Sequence, residues 1–365
     1  MTVVETTAES GHGIAGKTDL DIVGECDNFP YADSSNPEPF DNLMASTWTF
    51  FIPHSPNPYG YLTSSTVEKM PWTADFRLVT APFKQVRLAP EAEGDTTTSR
   101  ACELAMAKLI AHAREKNLFP ELGKRSRELY PILGAPYLLR FDRKAHALFG
   151  IVTRGVHLTV YTRVAGEMRL WISQRALDRP VYSGLLDNSI AGGVGTDETV
   201  LDALAWEAGE EAGLDEGLVR DGAKACGTLT WINIKDERSG SPGMLHPGIQ
   251  YIYDLEIEDH VTFRPVDGEV EKFNLWDVPT TRKAMAERKP KPSCALAVLD
   301  FLIRHGIITP DEERDYAEIV SRMHRRLPFP TCPFQPGVAE LNQTREEMTH
   351  PRIGAWLAYT PGSFL

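Results

Sequence analysis

The sequence predicts an α/β protein, a sandwich built on a mixed sheet and preceded by a smaller α+β N-terminal domain. Three observations carry this expectation. A chain of 365 residues fits two domains better than one or four. Two strand-like runs, GVHLTVYTR (155–163) and MRLWISQR (168–175), flank VAGE and read as a hairpin. Further strand runs then surround one central helix, with more helices late, an order that suits a mixed-sheet sandwich.

Taken in order, residues 1–19 offer few large apolar groups to bury and are expected to form a flexible polar arm. They lack both the apolar core of a signal peptide and the arginines of a transit peptide. The N-terminal α+β domain is expected over 20–147. TWTFFIP (47–53) reads as a strand and STVEKMP (65–71) as a short helix, while DFRLVTAPFKQVRLAP (75–90) alternates as β-structure does. The polar EAEGDTTTSR (91–100) feeds a helix over ACELAMAKLIAHAREK (101–116). Its Leu104, Ala107, Leu109 and Ile110 fall near helical spacing, and its basic residues come late. ELYPILGAPYLLRFDRKAHALFG (128–150) carries two turn signals among strand-like apolar runs.

The second domain is expected over 148–330. After the hairpin come a loop and the helix within AGGVGTDETVLDALAWEAGEEAGL (191–214). Strands are predicted near GTLTWINIK (227–235), IQYIYDLEI (249–257) and EVEKFNLWDV (269–278). PSCALAVLDFLIRHG (292–306) and DYAEIVSRMHRRL (315–327) read as amphipathic helices. Residues 331–365, rich in proline and polar groups, are expected to run as a C-terminal tail over the surface.

Composition excludes some function classes. Hydrophobic and charged contents of 42% and 24% are ordinary for a soluble globular protein. A net charge of -13 argues against a general nucleic-acid or anionic-membrane partner, because either needs a basic face. Cys26, Cys102, Cys226, Cys294 and Cys332 lie far apart with no C-x-x-C pair. They read as reduced thiols of an intracellular protein, without zinc-ligand spacing. No apolar run is long enough to span a membrane, and a cytoplasmic location is expected.

The chemistry concentrates in 191–214. With Thr199 to Ala212 helical and Leu201 set at zero, Leu204, Ala205, Ala208 and Ala212 fall within roughly 60° of it. That small-residue stripe suits close packing on a sheet. Glu210, Glu207 and Glu211 fall at roughly 180°, 240° and 280°, on one contiguous arc whose mutual repulsion a hard cation would relieve. Mg2+ or Mn2+ takes oxygen ligands and bridges carboxylates to phosphates. The preceding AGGVG lets backbone approach closely and offers a carbonyl. A solvated acidic helix face is the competing reading of three glutamates alone.

The pattern Gly192-x5-Glu198-x7-Trp206-Glu207-Ala208-x-Glu210-Glu211-x-Gly213-Leu214 resembles the Nudix box, G-x5-E-x7-R-E-U-x-E-E-x-G-U. Every fixed position matches except Trp206, where that family has arginine. DNFP (27–30), RELYPI (127–132), FGIVTRGVHLTVYTR (149–163), LLDNSIAGG (185–193), QYIYDLEI (250–257), DGEVEKF (267–273) and DFLIRHGIITP (300–310) extend the likeness. Together they resemble the thiamine-diphosphokinase-related Nudix proteins of fungi and plants, which carry an extra N-terminal domain. The resemblance covers about residues 20–330.

The resemblance implies a Nudix αβα sandwich, a Mg2+ or Mn2+ requirement, and hydrolysis of a diphosphate on a small organic group, thiamine diphosphate or a damaged form of it. It does not imply kinase activity, for the chain has no G-x-x-x-x-G-K-[ST] loop. Carried over by position, Glu207 would be base or metal ligand, and Glu210 and Glu211 the main ligands. Glu198 would support them from the helix entry, and the carbonyl of Ala191 or Gly192 would complete the set. Glu269 would be the distal catalytic glutamate, with Glu271 as the alternative. Arg175 and Arg179 are candidates for phosphate contact, since Arg can hold two oxygens at once. Ordinary surface arginines are the other reading. His157 reads as a structural histidine or a family site residue, and Lys291 as a substrate contact or a helix start before Pro292. Ser183 and Asp178 depart from the family pattern, so the pocket has room to differ.

Trp206, at roughly 140°, falls beside Glu210 and away from the core stripe. It offers one N–H donor and no charge where an arginine would orient the glutamates. Its loss of orientation predicts about 10–100-fold weaker metal binding or turnover without removing a ligand. Alternatively, Trp206 contacts a lipophilic diphosphate in a repurposed enzyme, or the fold binds without catalysis. A homodimer is expected by analogy of fold alone.

Overall fold

The computed structural model describes residues 16–91, 97–123 and 128–332. The terminal segments expected as arm and tail therefore lie mostly outside the described residues.

The first helix, α1 (Asp19–Cys26), starts at Thr18, whose hydroxyl accepts the Asp21 N–H while the Asp21 carboxylate returns to the Thr18 N–H. After α2 (Glu38–Ser46), the chain builds a four-stranded sheet. It comprises β1 (Thr47–Phe51), β2 (Gly60–Thr63), β3 (Phe76–Val79) and β4 (Gln85–Leu88) in the order β2-β1-β4-β3, with α3 (Ser64–Lys69) between β2 and β3. Helix α4 (Thr98–Glu115) buries Cys102, Ala105, Met106, Leu109 and Ile110 against Phe50, Leu62, Val86 and Leu88. A small hairpin, β5 (Leu129–Pro131) with β6 (Arg140–Asp142), runs into α5 (Arg143–Phe149). Asp142 caps α5 by accepting from the Lys144 N–H, and Gly150 ends it in the left-handed region. The sequence reading has strand and turn over this stretch, and the structure corrects its last third to helix.

The larger sheet begins with β7 (Thr153–Val164) and β8 (Glu167–Arg175), the expected hairpin. Its turn residues Ala165 and Gly166 both have positive φ, a twist that matches paired strands. Short β9 (Leu186–Asp187) pairs with β8, and β10 (Ile190–Gly193) pairs with β7. Helices α6 (Val200–Ala212) and α7 (Glu216–Gly222) follow. Then come β11 (Lys224–Ile234), β12 (Leu245–Glu256), β13 (Val270–Asp277) and the helices α8 (Val278–Ala286), α9 (Pro292–Arg304) and α10 (Tyr316–Arg322). The order β11-β12-β7-β8-β13 includes one parallel pair, β7 with β12, so the sheet is mixed.

Side chains alternate across β7. Val156, Leu158 and Val160 face Leu204, Ala205 and Ala208 of α6, whereas Tyr161 faces Leu299 and Phe301 of α9 on the other side. Helices thus cover both faces, and the α/β sandwich is as the sequence predicts. Ile22, Val23 and Cys26 of α1 lie in the α9 core rather than in that of the N-terminal sheet. A further cluster of Phe29, Tyr61, Leu133, Val152, Ile249 and Phe329 joins the two sheets. Beneath it, Asp27 is fully buried between Arg325, at 2.6 Å, and Arg322, at 3.4 Å. No helix among the described residues is long and apolar enough to cross a membrane.

Candidate active site

Helix α6 lies on β10 and β7 through its small-residue stripe, Ala203, Leu204, Ala205, Ala208 and Ala212, all buried. Thr199 and Asp202 form a capping box at its start, and Gly213 ends it. The stripe brings α6 close enough to set its carboxylates against the β10 backbone. A Cβ on Gly192 would stand 2.2 Å from Cγ of Glu207, so that side chain lies directly over the glycine. Oε2 of Glu211 accepts the Ala191 N–H at 3.2 Å. Glu210 is exposed, further round the helix. At the helix entry, Oε1 of Glu198 accepts the Gly195 N–H at 2.5 Å and holds the glycine turn. Trp206 is 44% exposed, off the core stripe as its wheel position predicts.

Burial sets the electrostatics. It pushes Glu207 up to about 8; Arg143 opposes this, while Glu210, Glu128 and Glu269 add to it. Burial also raises Glu211 well above the ordinary carboxylate range, reinforced by Asp187 and Glu207 against the Ala191 N–H. The donor set is oxygen only, and its raised carboxyls would ionise on meeting a hard divalent cation, which fits such an ion in kind. Among the described residues, no three acidic, His or Cys side chains already converge as a metal group.

A basic rim lies nearby. Arg179 reaches Oε1 of Glu269 at 2.8 Å, and Glu269 also stands in the field of Glu207. Glu271 is exposed at a β-bulge, so the geometry brings Glu269 rather than Glu271 toward the helix. Arg175 contacts buried Asp187 at 3.1 Å, and Lys291 stands 3.9 Å from the same carboxylate. The Nε atoms of Arg175 and Arg179 are buried without a hydrogen-bond partner among the described residues. Burial works against Asp187, but Lys291, Arg175 and His157 outweigh it and hold its pKa below the ordinary value. His157 itself is buried, meets Oδ1 of Asn188 at 3.1 Å, and is pushed down to about 4 by burial and Lys291. A neutral histidine so placed ties β7 to the turn between β9 and β10. Ser183 donates to the Leu177 carbonyl at 2.6 Å, within its own loop.

The sequence reading misses the opposite wall, which the N-terminal unit supplies. Thr196 donates through both N–H and Oγ1 to the Leu129 carbonyl, at 3.2 and 2.9 Å. A Cβ on Gly193 would lie 1.6 Å from the Tyr130 hydroxyl. Arg143 pairs with Glu128 at 2.8 Å and stands over the Tyr130 ring at 5.6 Å. Two local signals lie on this wall, the stretch RELYPI (127–132) within the likeness noted above and the helix-start pattern of Asp142 before Arg143.

A glycine strand, a carboxylate helix and a basic rim thus meet on one face of the sandwich. No family model matches the chain. Nudix hydrolase 20, chloroplastic, of Arabidopsis thaliana is 33% identical over 228 residues, which are 61% of this chain and 58% of that protein. Nudix hydrolase 24, chloroplastic, of the same plant is 33% identical over 225 residues, 60% and 58% of the two chains. Uncharacterized protein YJR142W of Saccharomyces cerevisiae is 37% identical over 203 residues, 54% of this chain and 59% of that one. The chain thus spans somewhat under three-fifths of the length of these relatives. Among solved structures, the NUDIX domain of Shewanella oneidensis NrtR aligns at 16% identity with a TM-score of 0.30, covering 39% of this chain and 82% of that one. This chain is thus similar to two Nudix hydrolases over about three-fifths of its own length.

Proposed function

We propose that this chain is a Nudix-type hydrolase that cleaves the diphosphate of a small organic molecule to a monophosphate, with Mg2+ or Mn2+. The observation that carries the reading is the seating of Glu207 and Glu211 against the Ala191–Gly193 backbone, with Glu210 beside them and arginines opposite. Glu207, Glu210, Glu211 and the Ala191 carbonyl would hold the ion. When bound, the ion neutralises diphosphate charge and makes water more acidic. Arg175 and Arg179 orient the phosphoryl oxygens. Glu269, half-buried and steadied by Arg179, takes the proton as water attacks phosphorus and the bridging P–O bond breaks.

The substrate class we assign is a thiamine-diphosphate-like compound, on the resemblance of the box and its flanking stretches. A lipophilic diphosphate is the second reading, favoured by the exposure of Trp206 beside the carboxylates. The ligand is a small molecule in both. A cytoplasmic location and a homodimer belong to the same proposal.

The test offers thiamine, oxothiamine, ADP-ribose, sugar-nucleotide and prenyl diphosphates to the full chain with Mg2+ or Mn2+. Turnover of one class that Glu211→Gln abolishes supports the hydrolase. Tight binding of a diphosphate with no turnover of any would replace it with a binding protein.

A further inference from the structure

We propose that the pocket between α1, the β8–β9 loop and the α8–α9 junction is a second ligand site, apart from the carboxylate helix. It takes a small organic anion, a carboxylate or monophosphate on a compact carbon skeleton. The proposal stands independently of the functional reading above.

The pocket has a volume of about 540 Å3, room for a small organic molecule. Separate stretches of chain wall it. Lys17, Leu20 and Glu25 come from α1 and the residues before it, Tyr182 from the β8–β9 loop, Ile234 from the end of β11, and Arg288 from between α8 and α9. No residue of its lining belongs to α6 or β10. Leu20 and Ile234, with Pro292 at the start of α9, give it an apolar side on which a carbon skeleton can rest.

The other side is cationic. Glu25 is shared by three cations: Lys17 and Arg288 each reach its Oε1 at 2.6 Å, and Arg238 reaches its Oε2 at 2.7 Å. Asp236 also goes to Arg238, at 2.7 Å, so three cations share two carboxylates. The Asp21 carboxylate is committed to the Thr18 cap. On another wall, Arg322 shares Asp27 with Arg325. Positive charge therefore exceeds negative around the pocket.

Arg288 meets Glu25 through Nε, and its Nη1 and Nη2 have no hydrogen-bond partner among the described residues. A guanidinium held at Nε offers its terminal nitrogens as a fork, which suits a carboxylate or a phosphate. The Tyr182 hydroxyl, also without a partner among the described residues, adds a donor. Backbone conformation marks the same two residues. Tyr182 and Arg288 have φ of 52° and 58°, left-handed values that bulky side chains rarely adopt. The Tyr182 N–H donates to the Arg238 carbonyl at 3.1 Å, and Arg238 is bound to Glu25, as is Arg288. Both strained residues thus hang on one network, and strain of this kind gathers where a ligand is clamped.

The test titrates the full chain, in EDTA at low salt, with phenyl phosphate, benzoate, inorganic phosphate and benzyl alcohol by calorimetry. Phenyl phosphate or benzoate should bind with a Kd below about 1 mM, the tighter of the two naming the anion. Inorganic phosphate, which has no skeleton, and benzyl alcohol, which has no charge, should both bind more weakly. Arg288→Gln should weaken the tighter probe about tenfold, and Arg288→Lys, which keeps the charge but loses the fork, should weaken it as well. Tyr182→Phe, which removes one hydroxyl and leaves the packing, should weaken it about fivefold. Arg179→Gln and Glu211→Gln, at the carboxylate helix and its rim, should leave the Kd unchanged. The proposal is overturned if neither organic anion binds, if benzyl alcohol or inorganic phosphate binds as tightly, or if Arg288→Gln and Tyr182→Phe leave the Kd unmoved. A loss in Arg179→Gln equal to that in Arg288→Gln would overturn it too, by placing the anion in the cleft of the carboxylate helix.

Discussion

Glu207→Gln should make the metal-free protein more stable, and by an amount that depends on pH. Burial, with the neighbouring carboxylates against Arg143, moves the Glu207 pKa from an ordinary 4.5 to about 8. A folded-state pKa above the unfolded value means that the folded protein keeps its proton longer. The group's contribution is then fully present below about pH 4.5 and is lost as pH rises toward 8. Within that window each pH unit costs up to about 1.4 kcal/mol. By pH 8 the loss reaches on the order of 4 kcal/mol, and at pH 5 only about 1 kcal/mol. Glutamine cannot ionise, so Glu207→Gln should exceed wild type by about those amounts at the two pH values. Urea unfolding in EDTA at pH 5 and pH 8 reads the difference directly. A variant no more stable than wild type at pH 8, or a gain that does not shrink at pH 5, would refute the reasoning.

Four further outcomes follow from the same structure. Mn2+ or Mg2+ at about 100 times its Kd should stabilise the wild type by about 2.7 kcal/mol and leave Glu207→Gln much less changed, by differential scanning fluorimetry; equal shifts would remove Glu207 from the ligand set. Gly192→Ala sets a Cβ 2.2 Å from the Glu207 side chain, and the displaced carboxylate should cost about 100-fold in turnover; near-normal rates would show that Glu207 can act elsewhere. Asp27→Ala leaves Arg325 and Arg322 without their buried partner and should cost about 3–5 kcal/mol in denaturant unfolding, a loss under about 1 kcal/mol arguing that water reaches the pair. Leu204→Ala, at the fully buried centre of the α6 stripe, should cost about 2–5 kcal/mol by the same measurement, and a smaller cost would mean that α6 collapses onto β7.

The carboxylate helix is readable from sequence because its information is local. A period of 3.6 places Glu211 beside the buried stripe, Glu207 next and Glu210 outermost, and Glu211 and Glu207 are half-buried while Glu210 is exposed. The β7–β8 hairpin is readable for the same reason, since alternation and turn residues lie within one short run. Strand β10 is not, because Ile190–Gly193 has almost no side chain to announce a strand and gains its pairing from β7. Helix α5 is masked by Phe141, Leu148 and Phe149, which read as a strand-like apolar run despite the cap at Asp142. Short helices such as α1 and α2 carry too few turns for a periodic signal. The N-terminal wall is the deepest omission, since Tyr130 and Gly193 meet across more than sixty residues of chain. No local pattern encodes that contact.

The placement of Glu207 and Glu211 bears on why this helix is built as it is. Burial raises the pKa of both, so ionising them is costly in the metal-free fold, and glutamine at either position should relieve that cost without disturbing the alanine stripe. Packing therefore gives no reason for carboxylates there. The glycines beneath them compound the argument: Gly192 and Gly193 forgo side-chain packing so that Glu207 and Tyr130 can approach the backbone. Local rules of stability are broken at one place, on both sides of one contact, and a feature of that kind marks a candidate functional site. Trp206 sits outside that contact. It is an exposed side chain off the alanine stripe, so the contact of Glu207 with the β10 backbone is built without it.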